Sequence, residues 1–111
     1  YKKLKKGGVL IVAVPNCESY DAKKYGKNWA AYDLPIHLSH FRKEDIKNIS
    51  HISNLKLRNI KPLVFDAYYI GMLSAKKSSQ SNFSGLLNGF SSNLKAKKSG
   101  EYSSLMYFLF K

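Results

Sequence analysis

An apolar run near the start of the chain organises the predicted fold. Residues 9–14 are six consecutive apolar side chains, preceded by Gly7-Gly8 and followed by Pro15-Asn16. A run without alternation has both faces buried, which is typical of an interior strand of a parallel sheet covered by helices. Proline cannot donate to a strand ladder, so the strand should end at Pro15. Ligands of open α/β sheets bind beyond the carboxyl ends of the strands, so functional residues are expected just after this strand.

The remaining apolar positions predict alternating helices and strands. A short helix before Gly26 is followed by a helix from Lys43, with Asn54 in a left-handed position after its end. Alternation over 55–60, stopped by Pro62, predicts a second strand. Asp66 is expected to cap a helix over 66–77. Helical spacing of apolar residues predicts another helix that ends before Gly100, and residues 102–110 predict a final strand. The predicted core contains Leu10, Val12, Val14, Leu57, Leu73, Leu87, Phe90, Leu105 and Tyr107.

Two motifs resemble one superfamily of enzymes. Residues 4–16, Leu-Lys-Lys-Gly-Gly-Val-Leu-Ile-Val-Ala-Val-Pro-Asn, closely resemble the fifth-strand motif of class I S-adenosylmethionine-dependent methyltransferases. Residues 29–41, with the pattern Trp-x-x-Tyr-Asp-x-Pro-x-His-Leu-x-x-Phe, resemble the ubiquinone-biosynthesis-type branch of that superfamily. The resemblance covers most of the chain but only the C-terminal part of such an enzyme. The glycine-rich turn after the first strand and the acidic residue that ends the second strand are absent from the sequence.

The resemblance implies an α/β fold that is the C-terminal part of a Rossmann-like methyltransferase sheet. About three strands with covering helices are expected, and the last strand should insert antiparallel between the two before it. Residues 1–111 would be a C-terminal fragment of a single domain, with a helical insertion at about 66–98. The cofactor-binding N-terminal half would lie outside this chain. The free edge then left on the first strand is expected to promote self-association.

The function implied by the resemblance is methyl transfer from S-adenosylmethionine to a small-molecule acceptor in the cytoplasm. This chain alone is expected to be inactive and to bind the cofactor poorly. The resemblance places Pro15 and Asn16 near the methionine end of the cofactor, although both residues could simply end the strand.

The segment after the first strand holds the other candidate site residues. Histidine titrates near neutral pH, so His37 is the candidate catalytic base and His40 the second choice. Asp33 could orient His37 or bind a substrate hydroxyl group. The alternative is that Asp33 and His37 only fix the loop, and that the aromatic side chains only cover the sheet. The candidate substrate-binding residues are Trp29, Tyr32, Asp33, His40 and Phe41.

The net charge of +12, from 19 Lys and Arg against 7 Asp and Glu, introduces a second class of function. It is compatible with a basic nucleic-acid-binding module or with an RNA-directed methyltransferase. However, only Arg42 and Arg58 are arginines, and the lysines lie at the ends of predicted elements, which favours solvated faces. A third alternative is an inactive α/β fragment that serves assembly.

Other residue patterns exclude several sites. The single Cys17 cannot form an intrachain disulfide and fits a reducing compartment, and it reads as a small buried residue. The three histidines and this cysteine match no zinc spacing, so no metal site is predicted. No apolar run approaches the roughly 18 residues of a membrane span, so none is predicted.

Overall fold

The computed structural model describes residues 2–33 and 35–111. Tyr1 and Leu34, the latter inside the predicted 29–41 segment, lie outside the described residues. The elements, in chain order, are β1 (Val9–Pro15), α1 (Tyr20–Tyr25), two 3₁₀ turns (Gly26–Asn28 and Ala30–Tyr32), α2 (Lys43–Ile52), β2 (Lys56–Pro62), α3 (Asp66–Lys77), α4 (Asn82–Ser99) and β3 (Ser104–Phe110).

The protein is mixed α/β, with a three-stranded sheet and four α-helices in the described residues. The strand order is β1-β3-β2, and β3 runs antiparallel to both neighbours. Pro15 is paired with Ser104, and Pro62 with Leu105. Both outer strands therefore end at the edge where β3 begins. The predicted insertion of the last strand between the two earlier ones is confirmed.

The position of β1 differs from the prediction of an interior strand in a parallel sheet. Among the described residues, β1 has one neighbour, β3, and that pairing is antiparallel. Its first half is open to solvent, with Leu10 41% and Ile11 51% exposed. Within the described residues no strand pairs with the outer edge of β1, so the strand is not interior in this chain, which agrees with the free edge expected on it; its faces are only partly covered.

Two apolar clusters form the core. One lies on the sheet and contains Ile46 from α2, Leu55, and three residues of β3, namely Leu105, Tyr107 and Leu109. Burial raises the pKa of Tyr107 to about 12. The other surrounds the fully buried Trp29 and joins α1 to α3 through Ala22, Tyr25, Ala31 and Ile70. The first cluster therefore packs α2 on the sheet, and the second packs α1 and the 3₁₀ turns on α3.

The predicted core is only partly correct. Leu105 and Tyr107 are buried and Val12, Val14 and Leu57 are partly buried, whereas Leu10, Leu73, Leu87 and Phe90 are exposed.

Helix α4 turns a small-residue face inward, where Gly85 and Gly89 lie against α3. A Cβ atom on Gly89 would lie 2.6 Å from the carbonyl oxygen of Ala67. Glycine thus permits the close approach of the two helices, and the larger apolar side chains of α4 point away from α3.

The ends of the helices follow local side-chain chemistry, with one correction. Gly100 ends α4 with a φ of 76°, and Asn54, after α2, has a φ of 53°, as predicted. The hydroxyl of Ser81 accepts a hydrogen bond from the amide of Ser84 at 3.2 Å and caps α4. Asp66 does not cap α3 but is its first residue, and the preceding Phe65 makes no side-chain capping bond. The carboxylate of Asp66 is therefore not used at the helix end.

A buried carboxylate joins three parts of the fold. Asp21 in α1 is fully buried and accepts a hydrogen bond from the indole Nε1 of Trp29 at 2.8 Å. Its other oxygen accepts bonds from the hydroxyl groups of Ser92 and Ser103, each at 2.7 Å. These contacts tie α1 to α4 and to the start of β3, and they give the buried charge the partners that it needs.

Candidate functional site

Two adjoining cavities lie at the sheet edge where β1 and β2 end and β3 begins. The larger cavity has a volume of about 500 Å³ and the smaller one about 150 Å³. Both are lined by Pro15 at the end of β1 and by Ala31 and His37. The larger cavity extends towards α3, and the smaller one towards Ser39 and Phe41. The expected position of the site, beyond the carboxyl end of the first strand, thus coincides with a concave surface.

A tight turn brings Asp33 and His37 to the larger cavity. Asp33 follows a 3₁₀ turn that is anchored to α3 by a 2.8 Å hydrogen bond from the amide of Ala30 to the hydroxyl of Ser74. Asp33 has a φ of 42°, a left-handed conformation that aspartate tolerates better than most residues. Its carbonyl oxygen accepts a hydrogen bond from the amide of His37 at 3.0 Å. The backbone around Asp33 thus fixes the position of the histidine.

The hydrogen bond of His37 indicates which ring nitrogen is free. Its Nδ1 lies 3.4 Å from the carbonyl oxygen of Ala31, which can only accept, so a hydrogen bond at this contact requires the proton on Nδ1. In the neutral ring, Nε2 then has the free lone pair. The side chain of His37 is exposed and borders both cavities. His37 therefore meets the geometric requirement for a base, which is an accessible lone pair at a cavity wall.

His40 is held by a neighbouring carbonyl group and borders only the smaller cavity. Its Nε2 lies 2.9 Å from the carbonyl oxygen of Tyr32 and donates to it. Phe41 lines the same cavity. The backbone amide of Cys17 donates to the carbonyl oxygen of Phe41, which joins this segment to the end of β1.

Trp29 and Tyr32 do not reach the larger cavity within the described residues. Trp29 is fully buried and its indole nitrogen is bonded to Asp21, so it belongs to the core. Tyr32 packs edge-to-face against Trp29, with ring centroids 5.1 Å apart, and against His40 at 4.8 Å. These two aromatic rings support the cavity wall from behind.

The two candidate cofactor residues have different surroundings. Pro15 lines both cavities, whereas Asn16 is 1% exposed. The side-chain nitrogen of Asn16 donates to the Oε2 atom of Glu101 at 2.7 Å and to the carbonyl oxygen of Tyr102 at 3.1 Å. Its oxygen accepts from the amide of Glu18 at 3.1 Å. The side chain of Asn16 is therefore occupied in fixing the loop after β1.

The polar groups of this chain do not fit S-adenosylmethionine by themselves. Asn16 has no side-chain group left for the cofactor, and Pro15 offers only an apolar contact. The residues that would hold the adenosine part in the resembled superfamily are absent from the sequence.

The larger cavity is also lined by three polar residues that the motif pattern does not indicate. Asp66 and Tyr69 come from α3, and Ser104 is the first residue of β3. One signal in the sequence points to Ser104. The last strand is expected to insert antiparallel beside the first strand, and this insertion places the start of the last strand, where Ser104 lies, next to Pro15. Asp66 was attributed to helix capping, and nothing in the local pattern of α3 distinguished Tyr69 from a core residue.

The charges around the two cavities are uneven. The described residues that line them include no lysine or arginine, although the chain has 19.

Burial raises the pKa of the Cys17 thiol above its ordinary value, so this thiol is protonated at neutral pH and is a poor nucleophile. Among the described residues, no group of three or more histidine, cysteine or acidic side chains could hold a metal ion. None of the described helices has the length and apolar character needed to cross a membrane.

Comparison of the chain with family models, with curated proteins and with solved structures gives no significant match. The arguments for function therefore rest on the sequence motifs and on the geometry of the cavities.

Proposed function

We propose that this chain is the C-terminal part of a class I S-adenosylmethionine-dependent methyltransferase acting on a small molecule. The observation that carries the proposal is the larger cavity at the end of β1, beside the 29–41 motif. The strand order β1-β3-β2, with β3 antiparallel, agrees with the order that the motif resemblance implies. In this proposal, residues outside the chain hold the adenosine part of the cofactor.

In this proposal, different cavity residues accept a proton from the acceptor and bind its hydrocarbon part. The Nε2 atom of His37 accepts a proton from the acceptor, and the Nδ1 proton stays on the carbonyl oxygen of Ala31. Val14 and Ile70 present apolar surface to the hydrocarbon part of the acceptor. S-adenosylmethionine supplies an electrophilic methyl group when it is bound. Holding the acceptor in one orientation lowers the entropic part of the barrier, and a positioned base adds roughly 10²–10⁴ in rate.

The absence of lysine and arginine from the described lining supports a small-molecule acceptor over an RNA substrate. Phosphate groups bind to lysine and arginine, and the nearest lysines among the described residues, Lys76 and Lys77, line a neighbouring depression and neither of the two cavities. An RNA-directed methyltransferase would need cationic groups at the mouth of its acceptor site.

The proposal makes this chain part of a longer protein, and that protein is the one to test. The purified protein is incubated with tritium-labelled S-adenosylmethionine and a cell extract, which is then separated into small-molecule, RNA and protein fractions. We expect the label in the small-molecule fraction. Label in the RNA fraction alone would support the alternative, and no transfer to any fraction would overturn the proposal.

The role of His37 is tested separately with a matched control. His37→Ala should lower kcat by roughly 10² or more while the affinity for the cofactor changes little. His51→Ala removes an imidazole from the exposed end of α2, which borders neither cavity, and should leave kcat unchanged. If His37 only fixes the loop, its replacement should lower thermal stability and raise KM while kcat is largely kept.

A further inference from the structure

One side of α4 carries a stripe of apolar side chains that no other element of the described residues covers. The stripe consists of residues at helical spacing, namely Phe83, Leu86, Leu87, Phe90 and Leu94, and each of them is between 40% and 68% exposed. At a rise of 1.5 Å per residue, the stripe extends for about 16 Å along the helix. A contiguous exposed apolar surface marks an interaction site, whereas scattered single side chains do not.

The stripe is a fixed feature of the fold, because close contacts hold the other sides of α4. Gly85 and Gly89 lie against the backbone of α3. The hydroxyl of Ser92 donates to the buried carboxylate of Asp21 in α1 at 2.7 Å. A rotation of α4 that buried the stripe would break these contacts. The apolar side chains are therefore presented to a partner outside the described residues.

The charges around the stripe have one sign. Residues 67–100, which include most of α3 and all of α4, contain five lysines and no aspartate or glutamate. Within the described residues, none of these lysines forms an ion pair. Lys97 and Lys98 lie in the last turn of α4, and Lys76 and Lys77 end α3, just before the short connection to α4. Cationic side chains therefore flank the stripe at both ends.

One of these lysines borders the same depression as the apolar side chains. A depression of about 210 Å³ beside α4 is lined by Phe90 and Leu94 of the stripe, by Lys97, and by Val64 and Tyr68 near the start of α3. A lysine at such a place lays its hydrocarbon stem on the apolar surface and keeps its ammonium group in a polar layer. The combination is typical of an interface between hydrocarbon and water.

We propose that this face of α4 docks on the surface of a membrane that contains anionic lipids. A helix with an apolar face bordered by lysines lies in the plane of the bilayer, with its apolar side chains at the acyl boundary and its lysines among the headgroups. The phosphate groups of anionic lipids supply the negative charge that residues 67–100 lack. The proposed methyltransferase function assigns no partner to this face.

A second copy of the chain fits the face less well. A dimer through the stripe would bring together two chains with a net charge of +12 each, and residues 67–100 offer no acid to pair with the lysines of the partner. An anionic bilayer complements both the apolar and the cationic side chains. The charge around the stripe therefore favours the membrane as the occupant.

The test is sedimentation of residues 1–111 with lipid vesicles. One set of vesicles contains phosphatidylcholine alone, and the other contains equal parts of phosphatidylcholine and phosphatidylglycerol. We expect roughly tenfold or tighter binding to the anionic vesicles, and this preference should decrease with added salt. No binding to the anionic vesicles, or equal binding to both sets, would overturn the proposal. Vesicle binding requires neither cofactor nor methyl acceptor, so its outcome is independent of the proposed function.

Lysine substitutions test whether the charges beside the stripe are responsible. Lys97→Gln combined with Lys98→Gln should weaken binding to anionic vesicles by roughly tenfold or more. Lys5→Gln combined with Lys6→Gln is the matched control, because it removes the same charge before β1, at the sheet edge opposite to the end of α4. The control should change the affinity little. Equal losses in both variants would show a general attraction of a basic protein and would contradict the proposed face.

Apolar substitutions test the stripe itself. Leu87→Gln combined with Phe90→Gln should weaken vesicle binding by roughly tenfold or more and leave the Tm unchanged, since both side chains are exposed. Leu38→Gln combined with Ile52→Gln removes two exposed apolar side chains elsewhere and should leave binding unchanged. Light scattering without vesicles identifies the alternative occupant. Self-association that the Leu87→Gln and Phe90→Gln variant abolishes would assign the face to a second copy and overturn the membrane proposal.

Discussion

Replacing Asp21 by alanine should strongly destabilise the protein, because it removes the acceptor shared by three buried donors. The indole of Trp29 and the hydroxyl groups of Ser92 and Ser103 all donate to its carboxylate at 2.7–2.8 Å. Asp21 is fully buried, so water does not replace the missing acceptor without rearrangement. The substitution thus acts on α1, α4 and the start of β3 together.

The loss in the free energy of unfolding depends on whether each donor finds another acceptor after the substitution. Hydrogen bonds to a charged group contribute about 1.5–3 kcal/mol each, so three bonds set an upper bound of roughly 5–9 kcal/mol. The hydroxyl groups of Ser92 and Ser103 lie 3.4 Å apart and can turn towards each other, which recovers part of this loss. The indole nitrogen of Trp29 has no such alternative. We therefore expect a loss of about 3–5 kcal/mol in the free energy of unfolding for Asp21→Ala.

Trp29 provides the assay for this prediction, because it is the single tryptophan of the chain and lies in the network itself. Urea unfolding followed by its fluorescence gives the free energy of unfolding of each variant. Asp21→Asn keeps the shape and one acceptor oxygen, so it should lose about half as much and remain folded enough to measure.

Asp45→Ala is the matched control for the same residue type. Asp45 is partly exposed, and its carboxylate accepts hydrogen bonds from the guanidinium and the backbone amide of Arg42 at the start of α2, where water can replace the lost acceptor, so its replacement should cost clearly less than that of Asp21. If Asp21→Ala cost no more than Asp45→Ala, the carboxylate would not hold the three elements together and the argument would fail.

Three other predictions concern the helix contact, pH and the free edge. Gly89→Ala should destabilise by about 1–3 kcal/mol, because its Cβ atom would lie 2.6 Å from the carbonyl oxygen of Ala67; thermal unfolding measures this. Burial alone would raise the pKa of Glu101, but hydrogen bonds from Lys43 and Asn16 lower it overall. Stability should therefore fall as the pH drops below the usual Glu range, about 4.3, and this loss should be smaller in Glu101→Gln. The open edge of β1 should promote self-association, which Ile11→Lys should reduce in light scattering.

Each of these predictions has a result that would contradict it. Ser91→Ala, elsewhere on α4, should change stability by no more than about 0.5 kcal/mol, so an equal effect of Gly89→Ala would exclude a clash. An identical acid transition in Glu101→Gln and in the unchanged protein would exclude the pH argument. A protein that stays monomeric at high concentration without Ile11→Lys would contradict association through β1.

The elements of the fold could be predicted from the sequence because their signals are local. The glycine pair before β1, Pro15 at its end and Gly100 after α4 each mark a boundary through backbone chemistry alone. The antiparallel insertion of β3 came from the motif resemblance and not from the hydrophobic pattern. Local patterns therefore gave the elements, and the sheet order needed the motifs.

The choice of the buried face of α4 could not be predicted from hydrophobicity. Two faces of this helix follow the same period, one with Leu87 and Phe90, and the other with Gly85 and Gly89. Hydrophobicity selected the first face, whereas close helix packing against α3 selects the second. Glycine contributes nothing to a hydrophobic pattern, so only the geometry of the contact reveals its role.

The candidate site was predicted in part. The turn with Asp33 and His37 was indicated by its position after the first strand, and it does border a cavity. The role of Trp29 as core depends on its contact with Asp21, and the contribution of Asp66 depends on how α3 packs over the sheet edge. Such contacts join residues far apart in the chain, so no local pattern contains them.

Binding of S-adenosylmethionine is the most direct test of the methyltransferase proposal. In this proposal the chain belongs to a longer protein, and the cofactor is titrated calorimetrically into that protein and, in parallel, into residues 1–111 alone. We expect saturable binding to the longer protein and weak or no binding to the isolated chain, since the polar groups of this chain do not hold the cofactor. Absence of saturable binding to the longer protein would contradict the proposed function, and equally tight binding to residues 1–111 would contradict the proposal that the cofactor site lies outside this chain.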